Sequence, residues 1–129
     1  MPQTGLEQLN KISYAVIGCA YKVHGTLGPG LLESTYEACL EYELIHSGLP
    51  VERQKALPVV YQNVKLETGY RIDLLVNNAV ILELKSVESV ADIHLAQLMT
   101  YLKLSEKRLG LLLNFNVLDM QQGIYRRVM

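Results

Sequence analysis

Three ionisable residues interrupt two otherwise apolar runs. Asp73 breaks Tyr70-Arg71-Ile72-Asp73-Leu74-Leu75-Val76, and Glu83 and Lys85 break Ala79-Val80-Ile81-Leu82-Glu83-Leu84-Lys85. Side chains of an extended chain alternate between faces, so Glu83 and Lys85, two residues apart, share one. Carboxylates beside a lysine can support metal-assisted phosphodiester hydrolysis. Their oxygens hold a hard divalent cation, and an ammonium group positions or activates the attacking water. The plain alternative is a solvated ion pair on an ordinary hairpin. Against it stand the neighbours, nearly all Ile, Leu and Val, as in a strand buried on both faces. A bare charge in such a strand is costly unless it is paired or metal-bound.

The loop between the two runs decides whether Asp73 joins that group. With a two-residue turn at Asn77-Asn78, Val76 pairs with Ala79, and Asp73 lies on the face opposite Glu83. With an odd loop or a β-bulge, Asp73 shares a face with Ile81, Glu83 and Lys85. Asn tolerates the left-handed backbone that a three-residue loop needs. The sequence leaves both geometries open.

Other candidate groups lie on helical patterns. His94, Gln97 and Tyr101 stand at i, i+3 and i+7, within ~60° of one another, beside a core stripe of Leu95, Leu98, Met99 and Leu102. Such a stripe borders either a cleft or a half-exposed flank whose polar tips reach water. Glu33 sits at the margin of an earlier apolar stripe, one turn before Tyr36 and Glu37. In a helix that also carries Glu41 and Glu43, a solvated Glu33 that favours the helix dipole is the plain reading. His24 precedes a glycine-rich break and suits a helix-end cap as well as a ligand.

The elements that must position these residues follow from periodicity. Leu9, Ile12, Val16, Cys19, Ala20 and Val23 recur at helical spacing and predict a helix over Leu6 to Val23. Gly25 to Gly30, with three glycines and Pro29, predicts a break. A second helix is expected from Leu31 to about Ser47 on a stripe of Leu32, Tyr36, Cys39 and Leu40, ended by Gly48 and Pro50. Strand-like runs follow at Val51 to Ala56, Leu57 to Tyr61, Leu66 to Val76 and Ala79 to Val87. Pro58 puts the second at an edge or at its start, and Gln62 to Lys65 reads as a turn. A third helix is expected over Ala91 to Ser105, then strands at Leu109 to Phe115 and Gly123 to Val128. The order ααβββαββ predicts an α/β fold, a mixed sheet flanked by helices, in one domain over 1–129.

Composition bounds the function. The chain has 129 residues, half of them apolar, with 12 Lys and Arg against 13 Asp and Glu, giving a formal charge of −1. A global basic field is therefore excluded, and nucleic-acid contact must rest on a local patch, a metal ion or a small footprint. Candidate phosphate contacts are Lys103, Lys107, Arg108, Arg126 and Arg127. Cys19 and Cys39 form no metal-type pair and read as buried thiols of a reducing compartment. No apolar signal region opens the chain and no run approaches ~18 apolar residues, so a cytoplasmic protein without a membrane span is expected.

Taken together, the order of motifs resembles the PD-(D/E)xK nuclease superfamily: Glu on a helix, Asp on a strand, Glu-x-Lys on the next, then Gln-x-x-x-Tyr on a helix. The Gln97 and Tyr101 pair is similar to its RecB-type branch. Gly30-x-x-Glu33-x-x-Tyr36 matches the motif that names the GxxExxY protein family, and Glu83-Leu84-Lys85, His94 to Tyr101 and Leu112-Leu113-Asn114-Phe115 extend the match from about Leu9 to Arg127. The resemblance implies a restriction-endonuclease-like core with Mg²⁺ or Mn²⁺ held by Glu33, Asp73, Glu83 and the Leu84 carbonyl, and His24 as an additional ligand. It implies that Lys85 acts on water or phosphate. Gln97, Tyr101, His94 and Tyr36 would contact substrate or brace the site. The implied partner is nucleic acid, DNA before RNA, met by a structure-dependent or partner-directed mode, with a homodimer as one way to meet it. The competing expectation is a non-catalytic binding or assembly module on the same scaffold, which the near-neutral charge favours.

Overall fold

The computed structural model describes residues 5–129. Two helices, α1 (Leu6–Leu27) and α2 (Glu33–His46), precede strands β1 (Val51–Ala56), β2 (Val59–Tyr61), β3 (Val64–Leu66), β4 (Arg71–Val76) and β5 (Val80–Lys85). Helix α3 (Asp92–Ser105), β6 (Leu109–Asn114), a 3₁₀ turn (Met120–Gly123) and β7 (Ile124–Val128) complete the chain. The sheet order is β1-β4-β5-β6-β7, and β2-β3 forms a separate hairpin. β5 and β6 run parallel, joined by the α3 crossover, and the other neighbours are antiparallel. This is the expected mixed sheet flanked by helices, and it is consistent with an α/β restriction-endonuclease-like fold.

Two apolar layers hold it together. One joins α1 and α2 to Leu74, Val76, Leu82, Leu84, Leu111 and Leu113. The other joins α3, through Leu98, Tyr101 and Leu102, to Leu75, Ile81 and Leu112. β5 and β6 are thus covered on both faces, which explains their unbroken apolar runs. The whole predicted stripe of α1, from Leu9 to Val23, is buried.

Several boundaries differ from expectation. α1 continues through Gly25 to Leu27, and Gly28 (φ 72°) ends it. Helix-internal Gly25 costs only ~1 kcal/mol against Ala, a penalty that the packed stripe of the long helix covers. Leu32, expected on the buried stripe of α2, is exposed, whereas Glu37 is buried. Cys39 is only half-buried. Five strands stand between α2 and α3, not three. The run Leu66 to Val76 is split at Gly69 (φ 85°). Gln62 and Asn63, both left-handed, form a tight turn, so Val64 and Lys65 belong to a strand. Among the described residues no helix is long and apolar enough to cross a membrane.

Candidate active site

The β4–β5 loop contains three residues. Val76 pairs with Val80, Leu75 with Ile81 and Leu74 with Leu82, leaving Asn77, Asn78 and Ala79 between them. Asn77 and Asn78 both adopt φ 52°, and the Ala79 N–H donates to the Val76 carbonyl at 3.0 Å. The odd loop carries Asp73 to a position opposite Glu83. There the ladder gives way to side chains: the Asp73 N–H donates to Glu83 Oε2 and the Leu84 N–H to Asp73 Oδ2, both at 2.9 Å. Each carboxylate thus satisfies a backbone donor of the other strand that the parting strands would otherwise strand.

Alternation also slips at Asp73. Ile72 and Leu75 both pack on the α3 side, whereas Leu74 and Val76 pack beneath α1 and α2. Opposite Asp73 on β1, Gln54 is left-handed (φ 54°), although pairing continues on either side at Arg53↔Leu74 and Lys55↔Ile72. A non-glycine residue held this way costs on the order of 1 kcal/mol. The strain delivers the Gln54 amide between two acids, donating to Glu37 Oε1 at 2.6 Å and to Asp73 Oδ1 at 3.3 Å. Arg53 Nε donates to the other Glu37 oxygen at 2.9 Å. Glu37, Gln54 and Arg53 were not among the residues that the sequence singled out. For Glu37 the signal was its place one turn after Glu33; for Gln54 there was none.

Glu33 approaches from the first turn of α2. The loop before it is clamped twice. The Tyr36 hydroxyl donates to the Gly28 carbonyl at 2.6 Å and accepts from the Leu31 N–H at 3.1 Å, while its ring stacks on Phe115 at 4.6 Å. Ser86, next to Lys85, donates to the Leu31 carbonyl at 2.6 Å. The spacing Gly30-x-x-Glu33-x-x-Tyr36 thereby acquires a physical reason. Gly30 (φ 94°) makes the turn, Glu33 opens the helix, and Tyr36, one turn on, locks the loop.

Electrostatics identify the group as one unit. Burial and then the Asp73 charge push Glu83 up to about 8, against the pull of the Asp73 N–H bond and Lys85. Asp73 is raised by burial and by Glu37. Glu33 is raised by burial and by Asp73 and Glu37, with Lys85 opposing. Three acids that resist ionising together around one lysine form a site poised for positive charge.

A cleft of about 680 Å³ opens beside them, lined by Lys85, Tyr70, His94, Gln97 and Tyr101 among others. The stripe on α3 therefore borders the cleft that holds Lys85. Tyr101 is nearly buried, and its hydroxyl is pushed up by burial and by Glu83. His94 Nδ1 accepts from the Ala91 N–H at 3.0 Å, so the neutral ring carries its proton on Nε2. His24 is tied elsewhere, its Nε2 2.7 Å from the Val117 carbonyl in the loop after β6.

The donor set suits a hard divalent ion. Asp73 Oδ1 and Glu83 Oε1 retain lone pairs that no backbone donor takes, and all donors are oxygen. Among the described residues no three His, Cys, Asp or Glu side chains gather closely enough to hold an ion alone. An ion here would lean on the Asp73 and Glu83 carboxylates, with water completing its shell, as Mg²⁺ commonly requires.

Of the five basic residues proposed for phosphate contact, none lines the cleft, and Lys107 and Arg108 lie at the other end of the sheet. Leu109 pairs with Val80 and Asn114 with Lys85, so Lys107 and Arg108 stand before the remote end of β6. Lys107 reaches Asn78 at 3.4 Å, and Arg127 and Arg126 pair with Gly110 and Leu111. α3 returns the chain to that same end, taking Lys103 with it. The length of β5, roughly 16 Å at ~3.3 Å per residue, separates Lys107 and Arg108 from Lys85, while Arg126 and Arg127 stand level with Leu82 and Ile81, and Lys103 adjoins Leu104 of the cleft lining.

Comparisons with known proteins agree with the geometry. Neither curated proteins nor solved structures provide a match, but a family model described as the PD-(D/E)XK nuclease superfamily matches residues 10–128. Asp73 on β4 and Glu83-Leu84-Lys85 on β5 lie within the matched residues. A match over nearly the whole chain means that this chain belongs to the PD-(D/E)XK nuclease superfamily.

Proposed function

We propose that the protein is a Mg²⁺- or Mn²⁺-dependent nuclease that hydrolyses phosphodiester bonds in DNA, and RNA less readily, within the RecB-type and GxxExxY groups. The observation that carries this reading is the Asp73–Glu83 pair, held by reciprocal backbone bonds, with Lys85 on the same strand face and a cleft beside it. A bound divalent ion supplies charge to the scissile phosphate and lowers the pKa of water for in-line attack. Asp73 and Glu83 would hold it, with the Leu84 carbonyl as a further ligand and Glu33 acting through bound water. The Leu84 N–H fixes the Asp73 carboxylate, so little reorganisation accompanies binding. Lys85 holds the attacking water or a phosphate oxygen. Gln97 and the His94 Nε2–H donate to substrate oxygens, and Tyr36 and Tyr101 brace the two walls.

The test is a panel of single-stranded, duplex, flap and junction substrates with Mn²⁺, beside a calorimetric titration of Mg²⁺ and Mn²⁺. Cleavage that stops on chelation is expected. A protein that binds no divalent ion at millimolar concentration and cuts none of the panel is a binding module on this scaffold.

A further inference from the structure

We infer that the cleft beside Lys85 accepts a single nucleic-acid strand, with one base stacked on Tyr70. This rests on the nuclease reading above and names its substrate class. Glu83, only 5% exposed, is buried two residues before Lys85, which lines the cleft. A phosphate meets it only if the strand enters the cleft. At about 680 Å³ the space is of the size that takes a ligand as large as one nucleotide.

The lining matches an unpaired base. Tyr70 is 50% exposed, yet fixed: its ring meets Tyr101 edge to face at 6.3 Å, and its carbonyl accepts from the Leu57 N–H at 2.9 Å. A rigid, half-open aromatic ring offers a stacking surface at little entropic cost. Ile93 adds an exposed apolar surface to the same lining, and His94 and Gln97 add neutral hydrogen-bond donors. Lys85 is the one Lys or Arg among the lining residues. Duplex-tracking surfaces draw affinity from many phosphate contacts, whereas single-strand sites combine a few cations with aromatic platforms. None of Lys103, Lys107, Arg126 and Arg127 lines the cleft, so they form no cationic rail within it.

The deciding experiment measures binding apart from turnover. Anisotropy of labelled 10-nucleotide probes, about the site size of one stacking domain, is recorded with Ca²⁺ in place of Mg²⁺. The probes are a single strand, the same sequence as blunt duplex, and an abasic strand. The single strand is expected to bind about 10-fold or more tightly than the other two. Tyr70→Leu should lose that margin and Tyr70→Phe keep it, with thermal melting showing both folded. A duplex bound as tightly as the strand, an abasic strand bound as tightly as the normal one, or Tyr70→Leu binding like the parent overturns the inference. So does a protein that binds none of the probes. A strand bound in this way but never cut with Mn²⁺ supports the inference and sinks the nuclease reading instead.

Discussion

Lys85 and Asp73 perform separable tasks. Lys85 acts on water or phosphate, so Lys85→Ala should abolish turnover, by 10²-fold or more, and leave Mn²⁺ binding within about a factor of three. Asp73→Ala removes a direct oxygen ligand and should abolish both. Both variants should remain folded, with a cooperative thermal transition, although Lys85→Ala removes the cation facing the acids and Asp73→Ala leaves the Leu84 N–H without its acceptor. Wild-type turnover by Lys85→Ala would end the mechanism. Glu83 adds a pH signature. Its carboxyl, pushed up to about 8 in the fold from an ordinary 4.5, keeps its proton over a range where the unfolded chain has released it. The stability that this proton contributes is complete below about 4.5 and is lost as pH rises through about 8. Metal-free protein should therefore melt at lower temperature as pH rises across that window. Glu83→Gln should flatten the dependence, and an unchanged slope in that variant would show that another group carries it.

At the level of elements, the β4–β5 loop sets the site. Removing Asn78 leaves a two-residue connection, which turns Asp73 to the face opposite Glu83. Circular dichroism should still show the sheet while Mn²⁺ binding disappears; parent-like affinity would mean that the loop does not set the geometry. The crossover after β5 is equally constrained. Asn114 is buried beside Lys85, accepting from the Val87 N–H at 3.1 Å and donating to its carbonyl at 3.0 Å. Gly123 passes so close to this point that an added Cβ would lie 2.0 Å from the Asn114 carbonyl oxygen. Backbone cannot yield there as a side chain can. At Gly110 the nearest atom is the tip of Leu98, at 2.8 Å. Gly123→Ala should cost several kcal/mol and Gly110→Ala about 1–2 kcal/mol. Urea denaturation orders the two, and the reverse order would contradict the packing described.

Across the whole molecule, charge is divided between the two ends of the central strands. Acids surround Lys85 at one end, where Arg53 is paired to Glu37 and Arg71 is bonded to the Gln54 carbonyl, and Lys107 and Arg108 stand at the other. Nucleic-acid affinity should therefore depend weakly on salt, with a slope on the order of −1 in log K against log[salt], since each neutralised phosphate of a single strand contributes about −0.7. Lys85→Ala should reduce that slope. Changing Lys103 and Lys107 together to Gln should leave it unaltered. A slope of −4 or steeper, flattened by the second pair of substitutions, would show that these two lysines bind the strand.

The sequence by itself determined what depends on local period. Glu83 and Lys85 share a face because a strand alternates, and the stripes of α1 and α3 follow from 3.6-residue spacing. The order of motifs carried the family, because motif order survives without knowledge of loops. Tertiary structure decided whatever depended on register and closure. The face of Asp73 hung on one residue of loop length, a choice worth less than a few kcal/mol locally, and packing on both sides of the sheet resolved it. Glu37 and Gln54 were illegible, since a left-handed Gln54 is held by neighbouring strands and not by its own preference. The far placement of Lys107 and Arg108 was equally hidden, because strand direction and the α3 crossover fix it, and neither leaves a mark on the spacing of Lys and Arg.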